Sequence, residues 1–294
     1  MRAAAILGLG SSAKDLKPFQ AEPGVDWRVG MPGAGDADVI LLFGGDGTIH
    51  RHLGQLIRLG LPVLVVPAGS GNDFASSLGL RRVRDSVSAW KQFCSTPTTF
   101  REIDLGTISP ITSPTEAPSI EGRRYFCCVA GVGLDGEVSR RANQLPRWLR
   151  GNGGYVLSLA PTIFTFAPFP LKILTSAGNG EWTIRSNQPT LLAAFANAPF
   201  YGGGMKIAPE AKLDDGLLDV CLVGAVARLR LFRLFPTVYS GRHLKVREVA
   251  YFHASRLRVE TERAMGVYAD GEYVCQTPVE VSIQLGALKV ICPA

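Results

Sequence analysis

Asp46 stands among glycines. In the run VILLFGGDGT, Val39 to Thr48, five large apolar residues lead into Gly44, Gly45 and Gly47 with one carboxylate between them. Glycine lacks the side chain that would hold a polyphosphate away from backbone N–H groups. A helix opening near Thr48, with apolar residues spaced at Ile49, Leu53, Leu56 and Ile57, would add its positive N-terminal end. Asp46 can then hold Mg²⁺ against the phosphate oxygens. An ordinary strand-to-helix turn, with glycines present for steric reasons, explains the same residues, because short glycine motifs recur by chance.

A second segment repeats the arrangement. Leu61 to Val66 reads as another buried strand and runs into Pro67 and then AGSGNDFA, Ala68 to Ala75. In a parallel sheet both turns lie at the same carboxyl edge, where ligands bind. Asp104, in the strand-like REIDLG, supplies a third acidic side chain. Three carboxylates at neighbouring strand ends can surround one hydrated Mg²⁺, which is what a nucleoside triphosphate needs.

Six motifs then stand in order: GGDGT at Gly44 to Thr48, PAGSGNDFA at Pro67 to Ala75, IDLG at Ile103 to Gly106, AGVGLDGEV at Ala130 to Val138, LDDGLLDV at Leu213 to Val220 and DGE at Asp270 to Glu272. Together they resemble the motifs of the diacylglycerol kinase catalytic superfamily, most closely those of the soluble bacterial lipid kinases, which are also similar to sphingosine and ceramide kinases. NAD kinases and phosphofructokinases carry turns like GGDGT, so the specificity lies in the whole set.

The resemblance implies an ATP- and Mg²⁺-dependent lipid kinase that phosphorylates a hydroxyl of diacylglycerol or a related lipid alcohol. ATP and Mg²⁺ are the cofactors it implies, and a lipid at a membrane surface is the partner. The nucleotide falls on Gly44, Gly45, Asp46, Gly47 and Thr48 and on Gly69, Ser70, Gly71 and Asn72. Asp46, Asp73 and Asp104 become ligands of the catalytic Mg²⁺, and Asp46 also counts as catalytic. LDDGLLDV reads by itself as a common turn before a strand; the resemblance implies a structural Mg²⁺ there, held by Asp215 with the main-chain carbonyls of Lys212 and Leu217. In DGE, a spacing of two places the Asp270 and Glu272 carboxylates on one side of an extended segment. One of them can accept the proton of the attacking hydroxyl. The resemblance favours Glu272 as that base, with Asp270 competing; a solvated hairpin turn explains the same residues.

Two departures from the family pattern lie on the nucleotide side and bear on ATP affinity. The chain opens with ILGLGSSA where relatives carry an Asn-Pro-x-Ser-Gly-like loop, and it reaches GGDGT after only 43 residues, so the first βα unit is shortened. His50 and Arg51 stand where the family tends to place Asn-Glu. Two alternatives follow: a NAD-kinase-like phosphotransferase with a soluble acceptor, or a catalytically inactive lipid-binding member of the fold.

The elements that must position these groups change character near residue 106. Before it, strands alternate with helical patterns, the last marked by Val83, Val87, Trp90 and Cys94, which predicts an α/β domain with a parallel sheet. After it, strand-like runs dominate: Tyr125 to Val132, Phe169 to Thr175, Trp182 to Arg185, Leu191 to Ala196, Leu217 to Val223, Leu257 to Thr261 and Val279 to Leu285. Asn179-Gly180 signals a hairpin turn between two of them. A nucleotide-binding α/β domain over 1–106 is expected, then a mainly antiparallel β-rich lipid-substrate domain over 107–285. By resemblance the last strand, Leu288 to Cys292 within 286–294, returns to the first domain. Ile108 to Gly122, rich in Pro, Ser and Thr, reads as an exposed connection.

Composition excludes a disordered chain: 46% of residues are hydrophobic and 19% charged. The formal charge of +6 favours negatively charged partners, and the motifs assign that charge to nucleotide and lipid, so no nucleic acid is expected. Six cysteines without paired spacing read as buried reduced thiols, and the four histidines do not cluster with them as a zinc site requires. MRAAAILGLGSSA fits a first buried strand better than a minimal secretory signal. Tyr155 to Leu174 is broken by Pro161, Pro168 and Pro170 and does not read as a membrane span. A core helix followed by a strand is its plainer reading. The functional one puts Phe164, Phe166 and Phe169 at a lipid-entry surface, with Arg140, Arg141, Arg147 and Arg150 facing anionic headgroups. A cytoplasmic protein touching the inner membrane face is expected, its oligomeric state open, a dimer included.

Overall fold

The computed structural model describes residues 1–111, 122–144, 161–176 and 181–293. Asn179-Gly180, Arg147, Arg150 and most of the Pro/Ser/Thr-rich connection lie outside them. The chain divides into two compact units, Met1–Asp104 with Leu285–Ala294, and Leu105–Gln284.

In the first unit the continuous apolar runs become strands buried on both faces, as parallel pairing demands. β1 (Arg2–Leu7), β2 (Asp26–Val29), β3 (Val39–Gly44) and β4 (Val63–Pro67) pair in parallel in the order β4-β3-β1-β2. Between β1 and β2 the helical structure is a single 3-10 turn, Ala13–Leu16, which is the short first unit in physical form. α1 (Asp46–Leu59) buries Ile49, Leu53 and Leu56 and stops at Gly60, whose φ of 61° gives the left-handed cap. α2 (Asp73–Ser77) follows β4. α3 (Val83–Ser95) buries Ser86, Ala89, Trp90 and Phe93 instead of the Val83, Val87, Trp90, Cys94 stripe. Two hydrogen bonds set that face: Ser86 Oγ donates to the Val65 carbonyl and Trp90 Nε1 to the Phe19 carbonyl, each at 2.9 Å. A hydroxyl that finds a carbonyl enters a core as readily as a methyl. β5 (Arg101–Pro110) begins in this unit.

The second unit is built from β6 (Arg124–Phe126), β7 (Val129–Gly133), α4 (Leu134–Gln144), β8 (Phe169–Thr175), β9 (Thr183–Ala196), β10 (Leu218–Gly224), α5 (Arg228–Leu234), β11 (Val249–Ala254), β12 (Arg256–Thr261), β13 (Gly266–Ala269), β14 (Glu272–Gln276) and β15 (Val279–Val290). Its described strand pairs are antiparallel. β9 fuses two runs that read separately in the sequence. Its first half pairs with β8, and its second half lies between β7 and β10. Phe126, Phe195, Ile173, Leu257 and Val281 are among the residues of one buried core here. Beyond Gln284, β15 belongs to the first unit, where Val290 lies parallel to Val63. The fold is therefore an α/β N-terminal part with a parallel sheet and a mainly antiparallel β C-terminal part.

Candidate active site

Gly44 and Pro67 are register partners at the ends of β3 and β4, so the two glycine turns leave the sheet side by side. They touch. A Cβ on Gly45 would lie 2.8 Å from Gly69 Cα, and one on Gly69 would lie 2.4 Å from Gly45 Cα. Real Cβ atoms do not approach that closely, so these glycines are required by main chain packing on main chain. Asn72, with φ of 54°, clamps the second turn: Oδ1 accepts the Gly69 N–H at 2.9 Å and Nδ2 donates to the Gly69 carbonyl at 2.7 Å. Thr48 fills the space that a side chain on Gly8 or Gly44 would need. Gly69 and Ser70 are exposed, while Gly47 and Gly71 are half-buried.

α1 opens at Asp46, two residues earlier than the Thr48 position expected. The Asp46 carboxylate crosses to α2, where Oδ2 accepts the Asp73 N–H and Oδ1 the Phe74 N–H, both at 3.0 Å. It thus does for α2 what an N-cap side chain does, a structural duty added to any role toward a ligand. A Cβ on Gly71 would stand 3.0 Å from Asp46 Oδ2 and 3.8 Å from Asp73 Oδ2, which sets both carboxylates beside one glycine. Asp104 is buried, and its Oδ1 accepts the Gly286 N–H at 2.8 Å. Among the described residues, Cys127, Cys128 and Asp270 form the one metal-ligand trio within 4.8 Å; Asp46, Asp73 and Asp104 do not close that far. A Mg²⁺ that keeps its waters and takes one or two carboxylates plus phosphate oxygens needs no tighter cluster, so Asp46 and Asp73 fit it.

In the second unit DGE is not an extended segment. Ala269 pairs with Glu272, and Asp270 (φ 50°) and Gly271 (φ 85°) form the two-residue turn between β13 and β14. Positive φ at both positions is the type I′ geometry that Asp-Gly favours. The turn separates the two carboxylates. Asp270 accepts the N–H groups of Cys127, Cys128 and Val129 at 2.9, 2.9 and 3.3 Å. These bonds break the predicted strand Tyr125 to Val132 into β6 and β7. Cys127 Sγ donates to the same carboxylate at 3.4 Å, so the Cys127–Cys128–Asp270 trio is a hydrogen-bonded corner. Glu272 is exposed. Asp215 makes an Asx-type turn in which Oδ1 accepts the Leu217 N–H at 3.1 Å, leaving a second oxygen in an exposed loop, as a hard cation requires.

Arg140 and Arg141 both close on Glu137, at 2.7 and 2.8 Å. Arg140 foremost, then Arg141, hold the Glu137 carboxyl down to about 2 against burial. These two arginines are therefore ion-paired within α4. Phe164, 46% exposed, packs against Phe232 of α5 with centroids 6.0 Å apart and the rings tilted by 35°.

A feature missed in the sequence is an apolar pocket in the second unit, partly open to solvent. Leu134, Val138, Leu192, Ile207, Leu231 and Val249 are among its walls, with Asp135, Tyr201, His243 and Glu248 as polar exceptions. No single run signals it, because its walls come from residues more than a hundred positions apart.

Glycine turns at parallel strand ends, aspartates beside them and an apolar pocket in a separate β unit define a kinase class in which a nucleotide fold is paired with a β module. The family models agree: residues 29–108 match the diacylglycerol kinase catalytic domain, and residues 128–292 match the YegS C-terminal NAD kinase beta sandwich-like domain. The chain belongs to the diacylglycerol kinase catalytic superfamily, a family of lipid kinases. It is 33% identical over 262 residues to a diacylglycerol kinase of Mycobacterium tuberculosis (strain ATCC 25618 / H37Rv), covering 87% of this chain and 77% of that one. It is 26% identical over 258 residues to a diacylglycerol kinase of Bacillus subtilis (strain 168), covering 87% and 78%. Among solved structures, a diacylglycerol kinase from Bacillus anthracis str. Sterne superposes with a TM-score of 0.65 at 19% identity, covering 99% of this chain and 96% of that one. An NAD kinase from Archaeoglobus fulgidus in complex with ATP gives 0.52 at 14%, covering 100% and 92%. Both likenesses are of fold.

Proposed function

We propose that this chain transfers the γ-phosphoryl group of ATP, with Mg²⁺, to a hydroxyl of diacylglycerol or a related lipid alcohol. The observation that carries the reading is the apolar pocket of the second unit. Its aliphatic walls suit an acyl chain, whereas a soluble dinucleotide would lose hydration there without matching bonds. On the nucleotide side the phosphates go to the backbone N–H groups around Gly45 to Gly47 and to the N-terminal end of α1. Gly69 to Gly71 line the same turn pair, and Asn72 acts by fixing their shape. Asp46, with Asp73 beside it, holds Mg²⁺, which when bound neutralises charge on the transferring phosphoryl group. Asp104 supports this edge through its bond to Gly286.

Glu272 is the proposed general base. Asp270 is committed as the acceptor of three backbone N–H groups, and Glu272 is exposed at the start of β14. Asp215, with the carbonyls of Lys212 and Leu217, is the proposed structural Mg²⁺ site. Contact with a membrane surface is supported by α5: Leu231 and Leu234 line the cavity, while Leu229 and Phe232 are 56% and 47% exposed. Such a helix, with Arg228, Arg230 and Arg233 between its apolar residues, suits an anionic interface. Among the described residues no helix is long and apolar enough to cross a membrane.

ADP release against lipid micelles and against NAD tests the reading. Saturable release with micelles and none with NAD is expected. Release with NAD alone would move the chain to the soluble-acceptor class, and lipid binding without turnover to the inactive one.

A further inference from the structure

α5 rests on the second unit without sinking into it: none of its seven residues is buried. Leu231 and Leu234 line the apolar pocket. Leu229 and Phe232 stand about 200° round the helix from them and are 56% and 47% exposed, and Phe164 widens that outer face by packing against Phe232. The charge around this face has one sign. Between Asp219 and Glu248 the chain carries six basic residues and no acidic one, and Arg228, Arg233, Arg242 and Lys245 are exposed. The other two, Arg230 and Arg247, meet at one atom: Glu248 Oε1 lies 2.8 Å from Arg230 and 2.9 Å from Arg247. Glu248 lines the pocket, so the Arg230 pair ties α5 by charge to the wall it covers.

A short helix with apolar residues on its outer face and arginines between them suits an anionic lipid surface, which takes the apolar side chains and the guanidinium groups at once. We propose that α5 docks on a bilayer carrying anionic phospholipid, and that Glu248 is the autoinhibitory contact that docking breaks. Headgroup phosphates compete with the Glu248 carboxylate for Arg230. A neutral bilayer offers the acyl layer but no net negative charge to replace that carboxylate. Once Arg230 changes partner, α5 moves toward the membrane and takes Leu231 and Leu234 off the pocket, which admits the lipid. The admission step rests on the reading of the pocket as the lipid site; the docking step does not.

The test sediments the full chain, without nucleotide and at low salt, with vesicles of phosphatidylcholine and with vesicles of equal parts phosphatidylcholine and phosphatidylglycerol. The anionic vesicles are expected to bind about tenfold tighter or more. Leu229→Ser combined with Phe232→Ser should weaken that binding about tenfold or more. Glu248→Gln keeps the shape and frees both arginines, so it should tighten binding to the anionic vesicles about tenfold. Glu260→Gln, at the Lys172–Glu260 pair, adds the same net charge elsewhere and should change it by less than about twofold. Equal binding to the two vesicles overturns the inference, as does unchanged binding by the serine variant or a Glu248→Gln protein that binds no tighter than Glu260→Gln. The serine variant alters exposed side chains only, so it decides the docking step even if Glu248→Gln does not fold. If docking behaves as expected but label from γ-labelled ATP never enters a lipid alcohol carried in the anionic vesicles, the lipid-site reading fails and the docking face stands.

Discussion

The turns after β3 and β4 and the apolar pocket of the second unit are built by opposite means. At the turns, main chain lies against main chain at Gly45 and Gly69, the Asn72 amide is spent on Gly69, and the Asp46 carboxylate closes α2. What remains for a ligand is backbone N–H groups held in a fixed shape. In the pocket the walls are mostly aliphatic, with Leu134, Val138, Leu192 and Leu231 among them. The turn pair is therefore rigid and intolerant of one added methyl at Gly45 or Gly69, while the pocket offers mainly apolar side chains. Phosphate is the same in every substrate of a kinase, and the acceptor is what varies.

The contrast breaks most visibly at Gly69. Gly69→Val puts a branched side chain where a bare Cβ already meets Gly45 Cα at 2.4 Å, so two backbones must part. A loss of about 3 kcal/mol or more in denaturant unfolding is expected, with no turnover. Normal stability would show that the turns do not depend on this contact. Asp46→Ala should abolish ADP release and also strip two N–H groups of α2 of their acceptor, costing about 1–2 kcal/mol. Asp46→Asn keeps one acceptor oxygen and should lose turnover with a smaller fall in melting temperature. Equal melting of all three proteins would deny Asp46 its capping role.

Leu231→Trp sharpens the comparison from the other side. It fills pocket space within the second unit, so lipid affinity should fall about tenfold or more while ATP affinity in calorimetry is unchanged. The smallest effect is expected at Glu137. Its carboxyl, held down to about 2 from an ordinary 4.5 by Arg140 and Arg141, stabilises the folded state fully above about pH 4.5 and loses that contribution as pH falls toward 2. The group is 23% exposed, so screening keeps the contribution below about 1 kcal/mol. Melts of Glu137→Gln should sit slightly below the unaltered protein at neutral pH and converge with it near pH 2. A gap that does not vary with pH would show that packing, and not charge, holds this pair.

The strands that carry the chemistry were legible because burial on both faces leaves no room for polar residues: Val39 to Phe43 and Leu61 to Val66 read as strands and are β3 and β4. The residues of the two glycine turns were legible as well, but only half of their reason was, since the contact between Gly45 and Gly69 joins segments more than twenty residues apart. Where the reading slipped, a hydrogen bond had outranked an apolar pattern. Ser86 bonding Val65 turned the α3 face, and Asp270 gathering three N–H groups split the run Tyr125 to Val132 and parted Asp270 from Glu272. The Asp-Gly pair carries a hairpin signal, and of the two readings of DGE, extended segment and hairpin turn, the turn is the one the structure shows. The pocket left no local trace, because its walls come from residues far apart in the chain.

The central claim is that phosphate leaves ATP on the Gly45–Gly69 turn pair and arrives on a lipid. The most direct measurement follows label from γ-labelled ATP into the organic extract after incubation with Mg²⁺ and mixed micelles. Label should partition with the lipid in the unaltered protein and be absent from the extracts of Asp46→Asn and Glu272→Gln. An organic phase free of label with every lipid alcohol tried, or equal labelling by Asp46→Asn, would contradict it.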